Sequence, residues 1–247
     1  VVSRVPGPFR SQLRAELTVV LRNGEQLLLT LIIPVLLLVF FSTVDVLPTG
    51  DVREPIDFLT PGVLALAVMS SAMVSLGIAT GFERGYKVLK RLGATPLGRP
   101  RWLAAKITTV IVVQMIQLVV LVPVALVLGW DAGSARWLLA VGAVITGTIA
   151  FGGVGLFIAG RLRAEINLAA QNGLYLVLLL LGGMVIPFDE LPEPLAAVAK
   201  CLPSGALADV LRDALVGGAD RPGTSWIVLA AWAVVAPALT ALTFRWE

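Results

Sequence analysis

Six stretches of this 247-residue chain run for about the thickness of a bilayer without a single Asp, Glu, Lys or Arg, and they leave few folds open to it. They cover residues 26–44, 58–82, 107–130, 137–160, 166–188 and 226–244. A helix needs roughly 20 mostly apolar residues to cross the hydrocarbon core. With 57% hydrophobic residues, 14% charged residues and a mean hydropathy of +0.91, the chain lies far outside the range of soluble domains. Pro34, Pro61, Pro123 and Pro237 fall inside these runs. Membrane helices tolerate them, because neighbouring helices satisfy the freed backbone groups.

The charges between the runs sort by side. If both termini share a side with segments 83–106 and 161–165, that side holds fourteen of the nineteen Lys and Arg but five of the sixteen acids. Basic residues beside membrane spans are retained in the cytoplasm, so the expected topology has both termini inside. The first run is expected to be a retained span, since no Ala-x-Ala type cleavage site follows it. The net charge of +3 lies beside the spans, with no aromatic-interleaved basic face, so no nucleic acid partner is expected.

Ahead of the first run, Phe9, Leu13, Leu17, Val20 and Leu21 recur at helical spacing, with Arg10, Gln12, Arg14, Glu16 and Arg22 on the other faces. This pattern predicts an amphipathic helix on the cytoplasmic membrane surface, its arginines near anionic lipid headgroups. Asn23-Gly24 predicts its stop. The helix serves either as a nonspecific anchor or as a dock for a partner or for segment 83–106. Residues 189–225, between the fifth and sixth runs, are too polar to span and too apolar for a free loop. Pro192 and Pro194 suit a helix start, with Leu195, Val198 and Leu202 as a stripe ending at Pro203. Ser204 is a candidate cap for a second helix carrying Leu207, Val210, Leu211 and Leu215, closed by Gly217-Gly218.

No ionisable residue lies in the core of a span, whereas gradient-driven transporters commonly place one there. Histidine is absent and the single cysteine, Cys201, has no partner for a disulfide. Ser-His and Cys-His catalysis are therefore excluded, and no metal site or enzyme activity is expected. No GxxxxGK[ST] occurs, so no nucleotide cofactor is expected on this chain. If the protein moves a solute, the energy comes from outside the bilayer. Gln114, Gln117, Asn167, Gln171 and Asn172 are the polar side chains within spans that could line a substrate path, or else bond neighbouring helices. Ser70, Ser71, Ser75 and Thr80 mark the second span, and Gly152, Gly153 and Gly155 predict close packing of the fourth.

Segment 83–106 reads ERGYKVLKRLGATPLGRPRWLAAK, with seven basic residues against the single acid Glu83. It resembles the cytoplasmic loop of ABC-2 type membrane subunits, through Glu83, Arg84, Gly85, Lys90, Arg91, Leu92, Thr95 and Pro96. Pro187, Leu191, Pro192 and Leu202-Pro203 are similar to the family's re-entrant segment, and the N-terminal helix is similar to its connecting helix. The resemblance implies an all-α membrane protein with six transmembrane helices and both termini inside. Residues 1–25 would form the amphipathic connecting helix and 26–247 the transmembrane domain, with short re-entrant helices between spans 5 and 6.

The resemblance further implies a permease subunit in the cell membrane, paired with an identical or different permease above two cytoplasmic ATPase subunits that bind ATP and Mg. Docking to the ATPase would fall on Glu83, Arg84, Lys87, Lys90, Arg91, Thr95 and Pro96, with Arg10 and Arg14 of the first helix. A short helix from about residue 85 to 92 would present Lys87, Lys90 and Arg91, with Val88, Leu89 and Leu92 packed behind it. The chain is similar to short drug-resistance permeases, which implies efflux of drugs, antibiotics or other small amphipathic molecules. Lipid, glycolipid or polysaccharide export, or a membrane assembly role without transport, are the alternative readings.

Overall fold

The computed structural model describes residues 7–44, 55–93, 95, 97–217 and 222–244, and every regular element among them is a helix. α1 (Pro8–Arg22) opens on Pro8, whose fixed φ suits a first helical turn, and stops at Asn23 before α2 (Gly24–Thr43), as Asn23-Gly24 predicts. α3 (Pro55–Met69), a π-helical turn (Ser70–Ser75) and α4 (Leu76–Gly85) run on as one 31-residue helix. The short α5 (Val88–Gly93) precedes α6 (Gly98–Val127), α7 (Trp137–Ala159) and α8 (Ala164–Leu181). A 3-10 turn (Phe188–Glu190), α9 (Glu193–Cys201), α10 (Pro203–Leu215) and α11 (Pro222–Thr243) complete the order.

Among the described residues, five helices are long and apolar enough to span: Pro55–Gly85, α6, α7, α8 and α11. α2 has 20 residues, with Thr30–Thr43 as its apolar described stretch. The helix ends differ from the apolar runs. α6 begins at Gly98 rather than 107 and, at 30 residues, measures about 45 Å against a ~30 Å hydrocarbon core. Its first turns therefore belong to the polar end, and segment 83–106 is mostly helix with a short connection. α8 stops at Leu181 rather than 188, because Gly182 and Gly183 (φ 61°) turn the chain.

The helix from Pro55 to Gly85 is the hub. All of α3 from Phe58 to Met69 is buried, and α10 packs into the same core against α3, α7 and α11. Two of the three predicted packing glycines are required by their neighbours. A Cβ on Gly155 would stand 2.5 Å from the Met73 carbonyl oxygen, and one on Gly153 2.6 Å from the Pro237 nitrogen. Gly152 has ordinary clearance, 3.7 Å to Leu76. Gly62 is tighter still, since its Cβ would meet the Met184 carbonyl oxygen at 2.0 Å.

Between α8 and α11, the predicted helix pair is present, bent by 80° at Leu202. Pro187 precedes the 3-10 turn, Pro192 precedes α9 and Pro203 opens α10. Leu207, Val210, Leu211 and Leu215 are all buried, and Gly217 (φ 82°) ends α10 by donating to the Arg212 carbonyl at 3.1 Å; Gly218 lies outside the described residues. Leu195 and Val198 of α9 are exposed on the surface of the bundle, and Ala199 is buried. One expectation is corrected. Ser204 does not cap α10, because Pro203 takes the first helical position from an extended Leu202 and leaves Ser204 inside the helix.

Candidate functional site

At one end of the bundle α1, α4, α5 and α6 meet. α4 ends at Gly85, and Lys87 reverses the chain at φ 59°, a left-handed conformation that side chains seldom adopt. α5 then leaves with Leu89 fully buried, Val88 and Leu92 half-buried, and Lys87, Lys90 and Arg91 exposed. That is the division of exposed cations and packed apolar residues that the sequence predicts for this segment. The Thr95 hydroxyl donates to the Leu92 carbonyl at 2.6 Å and shapes the turn into α6; Pro96 lies outside the described residues.

Glu83 and Arg84 belong to a different layer. The Lys106 ammonium donates to Glu16 Oε2 at 2.9 Å and also to Glu83, so one cation sits between two carboxylates. Gln12 Nε2 donates to Glu16 Oε1 at 2.8 Å. Lys106 is 3% exposed and Glu16 9%. This corrects the assignment of Glu16 to the polar face of α1, whose inward-facing residues include Phe9, Leu13, Glu16, Leu17 and Val20, with Leu21 exposed. Arg84 reaches across to the turn between α7 and α8, where it donates to the Gly160 carbonyl and, at 2.6 Å, to that of Leu162. A guanidinium here complements the negative end of the α7 dipole. Glu83 and Arg84 thus fasten helices together beneath the exposed α5 surface. Arg10 and Arg14 are exposed on α1.

Four of the five amide candidates are buried between helices. Gln114 of α6 donates to Ser71 Oγ in the π turn (3.2 Å) and accepts from Thr148 Oγ1 of α7 (2.9 Å). Ser71 bonds back to the Ala67 carbonyl at 2.9 Å. Gln117 donates to the Thr30 carbonyl of α2 at 3.2 Å. On α8, Asn167 donates to the Gly77 carbonyl (3.0 Å), and Gln171 to the Gly155 carbonyl (2.8 Å) and to Asn167 Oδ1 (3.2 Å). Beside Gln114 and Gln117 lies a void of about 10 Å³, far below the size of a ligand pocket. Asn172 alone is exposed, on the outer face of α8.

The opposite end carries a cluster that sequence reasoning missed. Arg212 of α10 pairs with Asp209 (3.1 Å), donates to the Gly183 carbonyl (2.8 Å) and lies 4.3 Å from the centre of the Phe58 ring. Ser225 donates to Asp209 Oδ2 at 3.1 Å, and Arg136 pairs with Asp213 at 2.8 Å. These contacts fix α10 to α3 and α11. The available sequence signal was that three of the five basic residues on the acid-rich side fall in segment 189–225.

A bundle of bilayer-length apolar helices with charged groups gathered at its ends is a multi-pass membrane protein. The chain matches the model of the ABC-2 type transporter family over residues 9–216, and it belongs to that family. It is 27% identical to the "Putative transport permease YvfS" of Bacillus subtilis (strain 168), over 197 residues covering 79% of this chain and 80% of that protein. It is accordingly a transport permease of the cell membrane, from a family whose members assemble with an ATPase partner.

Proposed function

We propose that the chain is the path-forming subunit of an ATP-driven exporter that moves drugs, antibiotics or other small amphipathic molecules out of the cell. It pairs with a second permease, identical or different, above two copies of a cytoplasmic ATPase that binds ATP and Mg. The observation that carries this reading is α5. Its two cations, Lys90 and Arg91, and Lys87 just before it face outward, while Leu89 locks it to the bundle and Glu83, Arg84 and Lys106 tie its root to α1, α6 and α7. Force applied to α5 therefore reaches four helices through hydrogen bonds and close packing.

The surface consists of Lys87, Lys90 and Arg91, with Arg10 and Arg14 on the adjoining helix. Glu83 and Arg84 transmit rather than touch the ATPase. Among the amides, Asn172 is assigned to the path between paired permeases, and the four buried ones to helix packing. The test is to purify the permease with its ATPase and compare K90A/R91A with the parent. Cargo-stimulated ATP hydrolysis is expected to fall at least fivefold while the permease keeps its thermal stability. Unchanged stimulation and unchanged assembly would overturn the docking assignment.

A further inference from the structure

We propose that one water molecule is bound inside the bundle between α3, α6 and α7, held by the side-chain amides of Gln117 and Gln114. The proposal concerns packing within one subunit and stands apart from the transport reading. The void beside these amides measures about 10 Å³ and is lined by Leu64, Ala67 and Val68 of α3 and Val144 of α7, together with the two glutamines. The α3 residues lie at i, i+3 and i+4, and the glutamines three apart on α6, so each helix turns one face to the void. One buried water needs roughly 10–15 Å³ of such space. The void is thus of the size for a single water and admits no larger ligand.

Hydrogen-bonding capacity selects the occupant. Gln117 is 1% exposed, and its Nε2 donates to the Thr30 carbonyl at 3.2 Å, but its Oε1 has no partner in the protein. A buried acceptor left bare carries its full desolvation penalty. Gln114, 3% exposed, donates to Ser71 Oγ and accepts from Thr148 Oγ1, which uses one amide proton and one lone pair. A primary amide carries two of each, so Gln114 keeps one donor and one acceptor position. A water that donates to Gln117 Oε1 and shares a second bond with the Gln114 amide gains the two partners that retain water in a buried site. The aliphatic side chains of α3 and α7 supply no donor in its place. Among the described residues no Asp, Glu, Lys or Arg lines the void, so nothing there would neutralise an ion. With the water bound, one chain of hydrogen bonds runs from the Thr30 carbonyl of α2 through Gln117, water and Gln114 to Ser71 in the π turn and Thr148 of α7. The water thereby ties α2 to the hub helix and to α7.

The test is X-ray radiolysis of the full chain in nanodiscs, read by mass spectrometry. Radiolysis turns a bound water into a hydroxyl radical, which oxidises the side chains it touches even where bulk solvent does not reach. Leu64 and Val68 are expected to be oxidised at least threefold more than Val63 and Leu66, buried residues of the same turns of α3 that do not line the void. This comparison needs no variant. Gln117→Leu removes the bare carbonyl and should bring Leu64 and Val68 down to the level of the other two. Ala67→Val, which fills the void and keeps both amides, serves if the Leu variant loses its thermal stability. Equal oxidation of all four residues in the parent would overturn the proposal. So would an excess at Leu64 and Val68 that persists in a folded variant, which would trace it to solvent entering along the helices rather than to a held water. No ATPase or cargo enters the experiment, so failure here leaves the docking surface untouched.

Discussion

Lys106 holds one positive charge between two carboxylates contributed by residues 90 and 23 positions away in sequence. Removing one member of a buried pair leaves the other charged and desolvated, at a cost of about 3–5 kcal/mol. Lys106→Met is therefore expected to lower the thermal midpoint of the purified permease more than any surface substitution on α5. Adding Glu16→Gln and Glu83→Gln should recover much of the loss, because the orphaned charges are removed with their partner. A mutant cycle on unfolding in detergent measures this, and additive effects of the three changes would sink the cluster as an interacting unit. Nothing local in the sequence discloses the cluster. Glu16 sits among charged residues that point outward, and Lys106 reads as one more positive-inside residue. Only the approach of α1 to α6 distinguishes them from their neighbours.

At the scale of elements, helix contacts are decided where glycine lets backbones meet. Gly155 faces the Met73 carbonyl in the π turn, while Gly152, one turn away in the same helix, has room for a methyl group. Gly155→Ala is expected to cost about 1–3 kcal/mol, as overpacking against fixed backbone does. Gly152→Ala should stay within about 0.5 kcal/mol of the parent. Thermal unfolding of the two variants side by side checks the difference, and equal stability would mean that α7 does not approach the π turn so closely. The sequence disclosed the glycine triplet but could not rank its members, since the ranking depends on which face meets the π turn. It also disclosed the apolar residues of α9 and α10 but not that the bundle buries only those of α10, because a stripe states which face is apolar and not what it meets. Helix ends were misread for a related reason. Charge-free runs mark the hydrocarbon thickness, whereas α6 continues through its basic first turns as a helix.

For the molecule as a whole, a permease must keep its bundle intact and still offer polar groups to a passing solute, and α8 separates these two tasks by face. Gln171 points inward onto the Gly155 carbonyl, while its neighbour Asn172 lies on the exposed face. An exposed amide within a span is costly against lipid, so its natural surroundings are a second permease or a wet path between the two. The two residues look alike in sequence, and both fit a substrate path on composition alone; only the fold tells them apart. Gln171→Leu is expected to lose about 1–2 kcal/mol of stability, the upper range for hydrogen bonds between membrane helices. Asn172→Leu should leave stability within about 0.5 kcal/mol while changing which cargoes stimulate ATP hydrolysis in the assembled transporter. The measurement is a panel of cargoes against ATPase rate, with thermal midpoints recorded for both variants. Should Gln171→Leu alter the cargo profile at unchanged stability while Asn172→Leu does nothing, the path runs through the interior of one subunit and the assignment of faces on α8 is reversed.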